Sequence, residues 1–424
     1  MLLISNTYWL GLPFAYKGEL PEGTQVKPVQ LKAADLRDSA GLYYVPKGNS
    51  KPKIAVLAIH PRVDFTRHYC IPPLLKENIA VLGLNSRCFN NDTTAIHEQL
   101  ILDVNAGVKF LKEKEGVETV VLFGNSGGGS LSAFFQSQAQ LPKGERLATT
   151  PAGDNTKLNE IDLIPADAFM AISAHKGQGL VLNECIDPAV IDESNPDLTN
   201  FELDMYDTRN GFAEPPNPSS YSDDFVKKYR AAQLARIKKL DDLAHSMIAE
   251  ARDNEQLYAD SKNQLSFMDR HHIGRRGAVE KIMVIYRTMA NLKYTDPSLD
   301  QSERKYGSLL SDRPDLMNMQ YLGFARVLTP RAWLSTWSGL SSNANLVKNI
   351  SKLKVPVLVV NAKRDKEIYP SDAEAIWQAV TAEDKTFLDF DAEHYFESEF
   401  GAKTAPDVDM LMAEVIPWIK ERFG

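Results

Sequence analysis

At 424 residues the chain exceeds what one compact core usually accommodates, so one large domain with an insertion, or two domains, is expected. Apolar residues make up 43% and charged residues 25%, an ordinary globular balance. A net charge of -8 without a long basic run argues against nucleic acid as the main partner.

Three widely spaced cysteines, Cys70, Cys88 and Cys185, form no CxxC pair and suit reduced thiols better than a disulfide framework. No uninterrupted apolar stretch is long enough to span a membrane. The opening MLLISNTYWLGLPFAYKG lacks a basic n-region and a clear small-residue cleavage site, so it does not read as a signal peptide. A cytoplasmic protein is expected.

In chain order, VQLKAADLRDSAGLYYVPKG within the first 50 residues resembles a leading antiparallel pair. KIAVLAIH (53–60) and NIAVLGLNSR (78–87) then read as strands. Residues 93–115 carry Ile96, Leu100, Val104, Val108 and Leu111 at helical spacing, which predicts a helix with one apolar face. TVVLFGNS (119–126) and AFMAISAH (168–175) are further strands, followed late in the chain by VPVLVVNAKRD (355–365) and TFLDFDAEH (386–394). Such runs, apolar along their length, suit strands buried on both faces. Helices over 371–382 and 408–423 complete an alternation that implies a parallel sheet flanked by helices.

The rhythm breaks between about 178 and 350. Residues 221–253 predict a long polar helix with Ser222 as N-cap, and GAVEKIMVIYRTMANLKY (277–294) a second helix. A connector rich in Pro and Asn (195–220) precedes them. The expected division is a core of 1–178 and 350–424 carrying an α-helical cap of 179–349.

Chemistry concentrates at 119–130, TVVLFGNSGGGS, where a strand meets Gly-x-Ser-x-Gly and then a helix. A serine on so sharp a turn needs neighbours without side chains at Gly124 and Gly128, and the helix that follows aims its free N–H groups at the hydroxyl. A glycine-rich turn with no chemistry would read the same, so Ser126 needs a base and an orienting acid. Asp365 lies just past one late strand and His394 just past the next, on the sheet edge where Ser126 ends its own strand. Asp389, Asp391 and Asp187 are weaker acid candidates by position. Of eight histidines, His394 alone follows the last strand. His271 and His272 sit in a basic junction, His97 and His245 on helices, and His68 at a helix entry. His175 either lines the site or is a satisfied buried histidine. No Cys/His cluster has metal-ligand spacing, so no catalytic metal is expected.

The Gly124–Gly128 elbow, Asp365, His394 and the His60-Pro61 loop together resemble the α/β-hydrolase superfamily. The likeness covers about 1–178 and 350–424, and the insertion falls where many members carry a lid. It implies an α/β-hydrolase fold, a cofactor-independent hydrolase and a covalent acyl-enzyme. Serine rather than aspartate at the elbow argues against the dehalogenase and epoxide hydrolase branches. Ser126, His394 and Asp365 would be nucleophile, base and orienting acid. Backbone N–H groups of Gly127 and Arg62 would hold the oxyanion, Arg62 being chosen because Pro61 has no N–H. His60, Arg67, His175, Trp333 and Trp337 are pocket candidates. The expected substrate is a carboxylic ester or lactone of a moderately hydrophobic small molecule. Amide or C–C cleavage, acyl transfer and ligand binding without catalysis remain alternatives, and oligomeric state, including a homo-oligomer, stays open.

Overall fold

The structure, a computed structural model, describes residues 19–49, 51–397 and 404–424. The N-terminal stretch weighed above as a signal peptide lies outside the described residues. Eight strands form one sheet: β1 (Gln25–Lys32), β2 (Asp38–Val45), β3 (Ile54–His60), β4 (Ala80–Asn85), β5 (Thr119–Asn125), β6 (Ala168–Ile172), β7 (Val357–Ala362) and β8 (Lys385–Phe390). Their spatial order is β1-β2-β4-β3-β5-β6-β7-β8. The leading pair is antiparallel, β2 joins β4 antiparallel, and all other pairings are parallel.

The central strands are buried almost throughout, as their continuous apolar runs require, whereas edge strand β8 alternates between exposed and half-buried positions. Helices cover both faces. One apolar layer packs α2 (His97–Lys109) and α3 (Gly127–Ala139) on the sheet through Leu100, Val104, Leu131 and Phe135. The other uses α1 (Ile71–Lys76) and the C-terminal helix (Pro406–Phe423) through Leu74, Leu411, Val415 and Ile419. The helix expected over 93–115 continues past Lys109 as a wider π-turn over Phe110–Lys114.

The helical insertion leaves after β6 and returns before β7. It contains α4 (Gln178–Cys185), the 38-residue α5 (Asp223–Asp260) and α6 (Phe267–Gly277). Ser222 caps α5 by accepting the Phe225 N–H at 3.3 Å. Leu182, Ile237, Leu240, Met289, Trp333 and Trp337 belong to an apolar cluster of its own. Beside it lies a buried ion pair: Arg287 meets Asp187 at 2.8 Å, and the Asn318 side-chain amide donates to the same carboxylate at 2.7 Å. The extra donor matters, because a buried pair holds its ground only when its remaining valences are met. Entry and exit of the insertion touch. The Leu346 N–H donates to the Lys176 carbonyl at 2.7 Å, and a methyl group on Gly177 would stand 2.5 Å from the Ala344 carbonyl oxygen.

The helix expected over 277–294 does not form. Helix α6 ends at Gly277, and Met283–Val284 pairs as a short antiparallel ladder with Val327–Leu328. Arg287 adopts a left-handed backbone (φ 57°), which no continuous right-handed helix tolerates.

Candidate active site

Ser126 sits where β5 turns into α3, with φ 53° and ψ -127°. A non-glycine residue there is strained by about 1–3 kcal/mol, a cost found where the surroundings over-determine the backbone. They do so here. A methyl group on Gly124 would stand 2.7 Å from the Gly129 Cα and 2.9 Å from the Met170 carbonyl oxygen, and one on Gly128 would collide with the Ile59 carbonyl. The Ser126 N–H donates to the Ile172 carbonyl at 3.2 Å. Asn125, the unspecified residue inside the Gly-x-Ser-x-Gly pattern, pins the turn further. Its amide donates to the same Ile172 carbonyl at 2.8 Å, and its Oδ1 accepts the Tyr69 hydroxyl at 3.0 Å and lies 3.2 Å from His68 Nε2. Sequence reading passed over Asn125, and only its place between Gly124 and the serine hinted at this role. His68 is thereby a buried structural group, its pKa lowered to about 3 by burial.

Asp365 follows β7 and His394 follows β8; both are about 1% exposed. His394 Nδ1 lies 2.7 Å from Asp365 Oδ2, while Asp365 Oδ1 accepts the N–H groups of Glu367 (2.7 Å) and Ile368 (3.0 Å). Burial pulls the His394 pKa down, but the Asp365 charge and hydrogen bond more than reverse this, leaving it above the ordinary histidine value. With its Nδ1 proton directed to Asp365, His394 keeps a lone pair on Nε2, which is buried and has no hydrogen-bond partner. Among the described residues no hydrogen bond joins Nε2 to the Ser126 hydroxyl.

A small cavity of about 20 Å³ opens over Ser126. The sheet side supplies His60, Arg62, Ser126, His175 and Glu367; the insertion supplies Gln178, Val181, Leu309, Phe324 and Trp337. That is room for about one water and far below the ~300–1,000 Å³ of occupied small-molecule sites, so a substrate has to part the insertion from the sheet side to enter.

Several sequence expectations change here. The Arg62 N–H, expected to face an oxyanion, donates to His60 Nδ1 at 3.1 Å. Its guanidinium pairs with Asp92 at 3.0 Å and lies 5.2 Å from the Trp337 ring centre and 5.7 Å from that of Phe324. Arg67 is exposed and does not line the cavity. Trp333 is fully buried in the insertion core, its indole N–H donating to Asp241 at 2.7 Å, whereas Trp337 reaches the cavity. His175 does both things weighed for it: it lines the cavity, and its Nδ1 accepts the Gly177 N–H at 3.1 Å. The competing acids are engaged elsewhere, Asp389 with Asn361 and Lys363, Asp391 with Arg364 and Asp187 with Arg287.

Glu367 was not anticipated. It stands two residues beyond Asp365, lines the cavity and has an unpartnered buried Oε2. Burial pushes its pKa up to about 8. The signal in the sequence was only a second acid in the Asp365 loop, where an ordinary solvated glutamate was equally in keeping. Among the described residues no group of three His, Cys, Asp or Glu side chains is arranged to hold a metal ion, and no helix is long and apolar enough to cross a membrane.

Sheet order, elbow and helical insertion together match an α/β-hydrolase fold. No protein-family model matches the chain, and no curated protein matches it in sequence. Solved structures to which it is similar include the esterase Pf2001 of Pyrococcus furiosus, at 12% identity over 97% of this chain and 97% of that one, with a TM-score of 0.43. GrgF, an alpha/beta hydrolase from Penicillium sp. sh18, shares 12% identity over 94% of this chain and 99% of its own, with a TM-score of 0.49. Est1E from Butyrivibrio proteoclasticus shares 11% over 93% and 98%, with a TM-score of 0.42.

Proposed function

We propose that the protein is a serine hydrolase that cleaves a carboxylic ester or lactone of a moderately hydrophobic small molecule. The observation carrying this reading is the strained Ser126 elbow on the same sheet edge as a buried Asp365–His394 pair whose Nε2 lone pair is unclaimed. His394 Nε2 takes the hydroxyl proton as Ser126 attacks the carbonyl carbon, and Asp365 stabilises the resulting imidazolium. The carbonyl oxygen becomes an oxyanion at the α3 N-terminus, where the Gly127 N–H and the helix dipole favour negative charge. Collapse expels the alkoxide, which leaves as the alcohol with the His394 proton and leaves an acyl-Ser126 ester. Water, deprotonated by His394, then releases the acid.

The apolar roof of Val181, Leu309, Phe324 and Trp337 favours a compact hydrophobic substrate over a polymer. We assign catalysis to a core of 1–178 and 350–424, substrate choice to the 179–349 cap, and a cytoplasmic setting. The test is intact mass after treatment with a fluorophosphonate, comparing wild type with Ser126→Ala. A single adduct confined to wild type supports the reading, and equal labelling or none in both refutes it. An ester and lactone panel then names the substrate.

A further inference from the structure

The first three residues of the loop that follows β3 offer no free backbone donor for an oxyanion. Pro61 has no N–H, and the N–H groups of Arg62 and Val63 both donate to His60 Nδ1, at 3.1 and 2.9 Å. An imidazole nitrogen that accepts two backbone N–H groups carries no proton, so in the neutral ring the proton is on Nε2. His175 is fixed in the same way, its Nδ1 accepting the Gly177 N–H at 3.1 Å. Both rings therefore present an Nε2–H donor.

Those donors meet at one place. In the sheet β5 lies between β3 and β6. His60 is the last residue of β3, His175 follows β6, and Ser126 follows β5 between them. A methyl group built on Gly127 would stand 2.8 Å from His60 Nε2 and 3.0 Å from His175 Nε2. The two ring tips thus close over the Cα of the residue after the serine, and both rings line the cavity above it.

We propose that His60 and His175 are catalytic residues whose Nε2–H groups flank the Gly127 N–H and bind the oxyanion from either side of Ser126. The His60 ring carries the donor role forward from a loop whose Arg62 and Val63 N–H groups it has itself taken up. Burial, the Arg62 charge and the neighbouring His175 hold the His60 pKa well below the ordinary value, and burial takes His175 to about 3. The rings stay neutral at physiological pH, so they donate without repelling the imidazolium formed at His394. Gly127 is glycine because any side chain would occupy the space where the two donors converge.

This inference rests on Ser126 as nucleophile, and its test separates the two ideas. The readout is the second-order rate of fluorophosphonate adduct formation at Ser126, with thermal midpoints alongside. In His60→Asn and His175→Asn the amide oxygen stands near the lost Nδ1 and still accepts the loop N–H groups, while the Nε2 donor disappears. Each substitution is expected to slow labelling roughly 100- to 1,000-fold, the loss typical of one oxyanion donor, with the midpoint retained. In His60→Gln and His175→Gln the amide NH₂ reaches near the Nε2 position, and at least a tenfold recovery over Asn is expected. Asn variants that label at the wild-type rate, or Gln variants no faster than Asn, overturn the proposal while Ser126 stands. A wild type that does not label at Ser126 overturns both.

Discussion

Replacing Glu367 with glutamine removes an ionisable proton and little else. The carboxyl is 7% exposed, lines the catalytic cavity and holds its proton to about pH 8 because burial disfavours the anion. In the unfolded chain the same group ionises at about pH 4. Between those values the folded protein binds more protons than the unfolded chain, so raising the pH favours unfolding. The stabilisation is complete below about pH 4 and is lost as pH rises toward 8. At ~1.4 kcal/mol per pH unit, less the partial titration at either end, the loss between pH 5 and pH 8 amounts to about 3–4 kcal/mol. Glu367→Gln has no such term. Urea unfolding of both proteins at pH 5, 6, 7 and 8 should show the variant gaining about 3–4 kcal/mol on wild type across the series. Labelling of wild type by fluorophosphonate should also fall above about pH 8, when an anion forms beside the developing oxyanion, and labelling of the variant should not. Stability curves that stay parallel within about 1 kcal/mol from pH 5 to pH 8 would show that the carboxyl is already ionised, and the reasoning would be wrong.

Two further substitutions probe the site from other directions. Asp365→Asn keeps an oxygen for the Glu367 and Ile368 N–H groups but turns an amide toward His394, which favours the wrong tautomer. Single-turnover measurements should show a fall of roughly 10⁴-fold with the unfolding midpoint nearly unchanged. Gly124→Ala drives a methyl group against the Gly129 and Met170 backbone, which cannot rotate away. Denaturation should reveal a loss of about 1–3 kcal/mol, accompanied by loss of fluorophosphonate labelling as Ser126 is displaced.

The sheet was largely legible because strands buried on both faces must be apolar along their whole length, as KIAVLAIH and VPVLVV are. Residues 277–294 misled because Ile282, Met283, Val284 and Ile285 form a short apolar run, which periodicity alone does not assign to helix or strand. Its fate was decided by a distant partner, Val327–Leu328, and by the left-handed turn at Arg287. Within the site, the positions of Ser126, Asp365 and His394 after strands could be read from the chain. The destination of the Arg62 N–H could not, since it depends on the His60 ring folding back over its own loop. Trp333 and Trp337 look equivalent in sequence, yet Asp241 on α5 claims one and the cavity receives the other. Glu367 carries no motif; only burial distinguishes it from a surface glutamate.

The contact between Lys176 and Leu346 brings the two ends of the insertion together, and further bonds tie it to the core, among them the Thr336 hydroxyl to the Ala95 carbonyl and the Ser335 hydroxyl to Glu98, each at 2.6 Å. Because its ends already meet, a longer or shorter excursion changes the cost of closing the loop by only ~0.6 kcal/mol per doubling of length. Ser126, Asp365 and His394 belong to the sheet, whereas Val181, Leu309, Phe324 and Trp337 belong to the excursion and travel with it. A graft made at that pinch exchanges the roof of the cavity only if it also supplies partners for Ala95, His97 and Glu98, which Ser335 and Thr336 now satisfy.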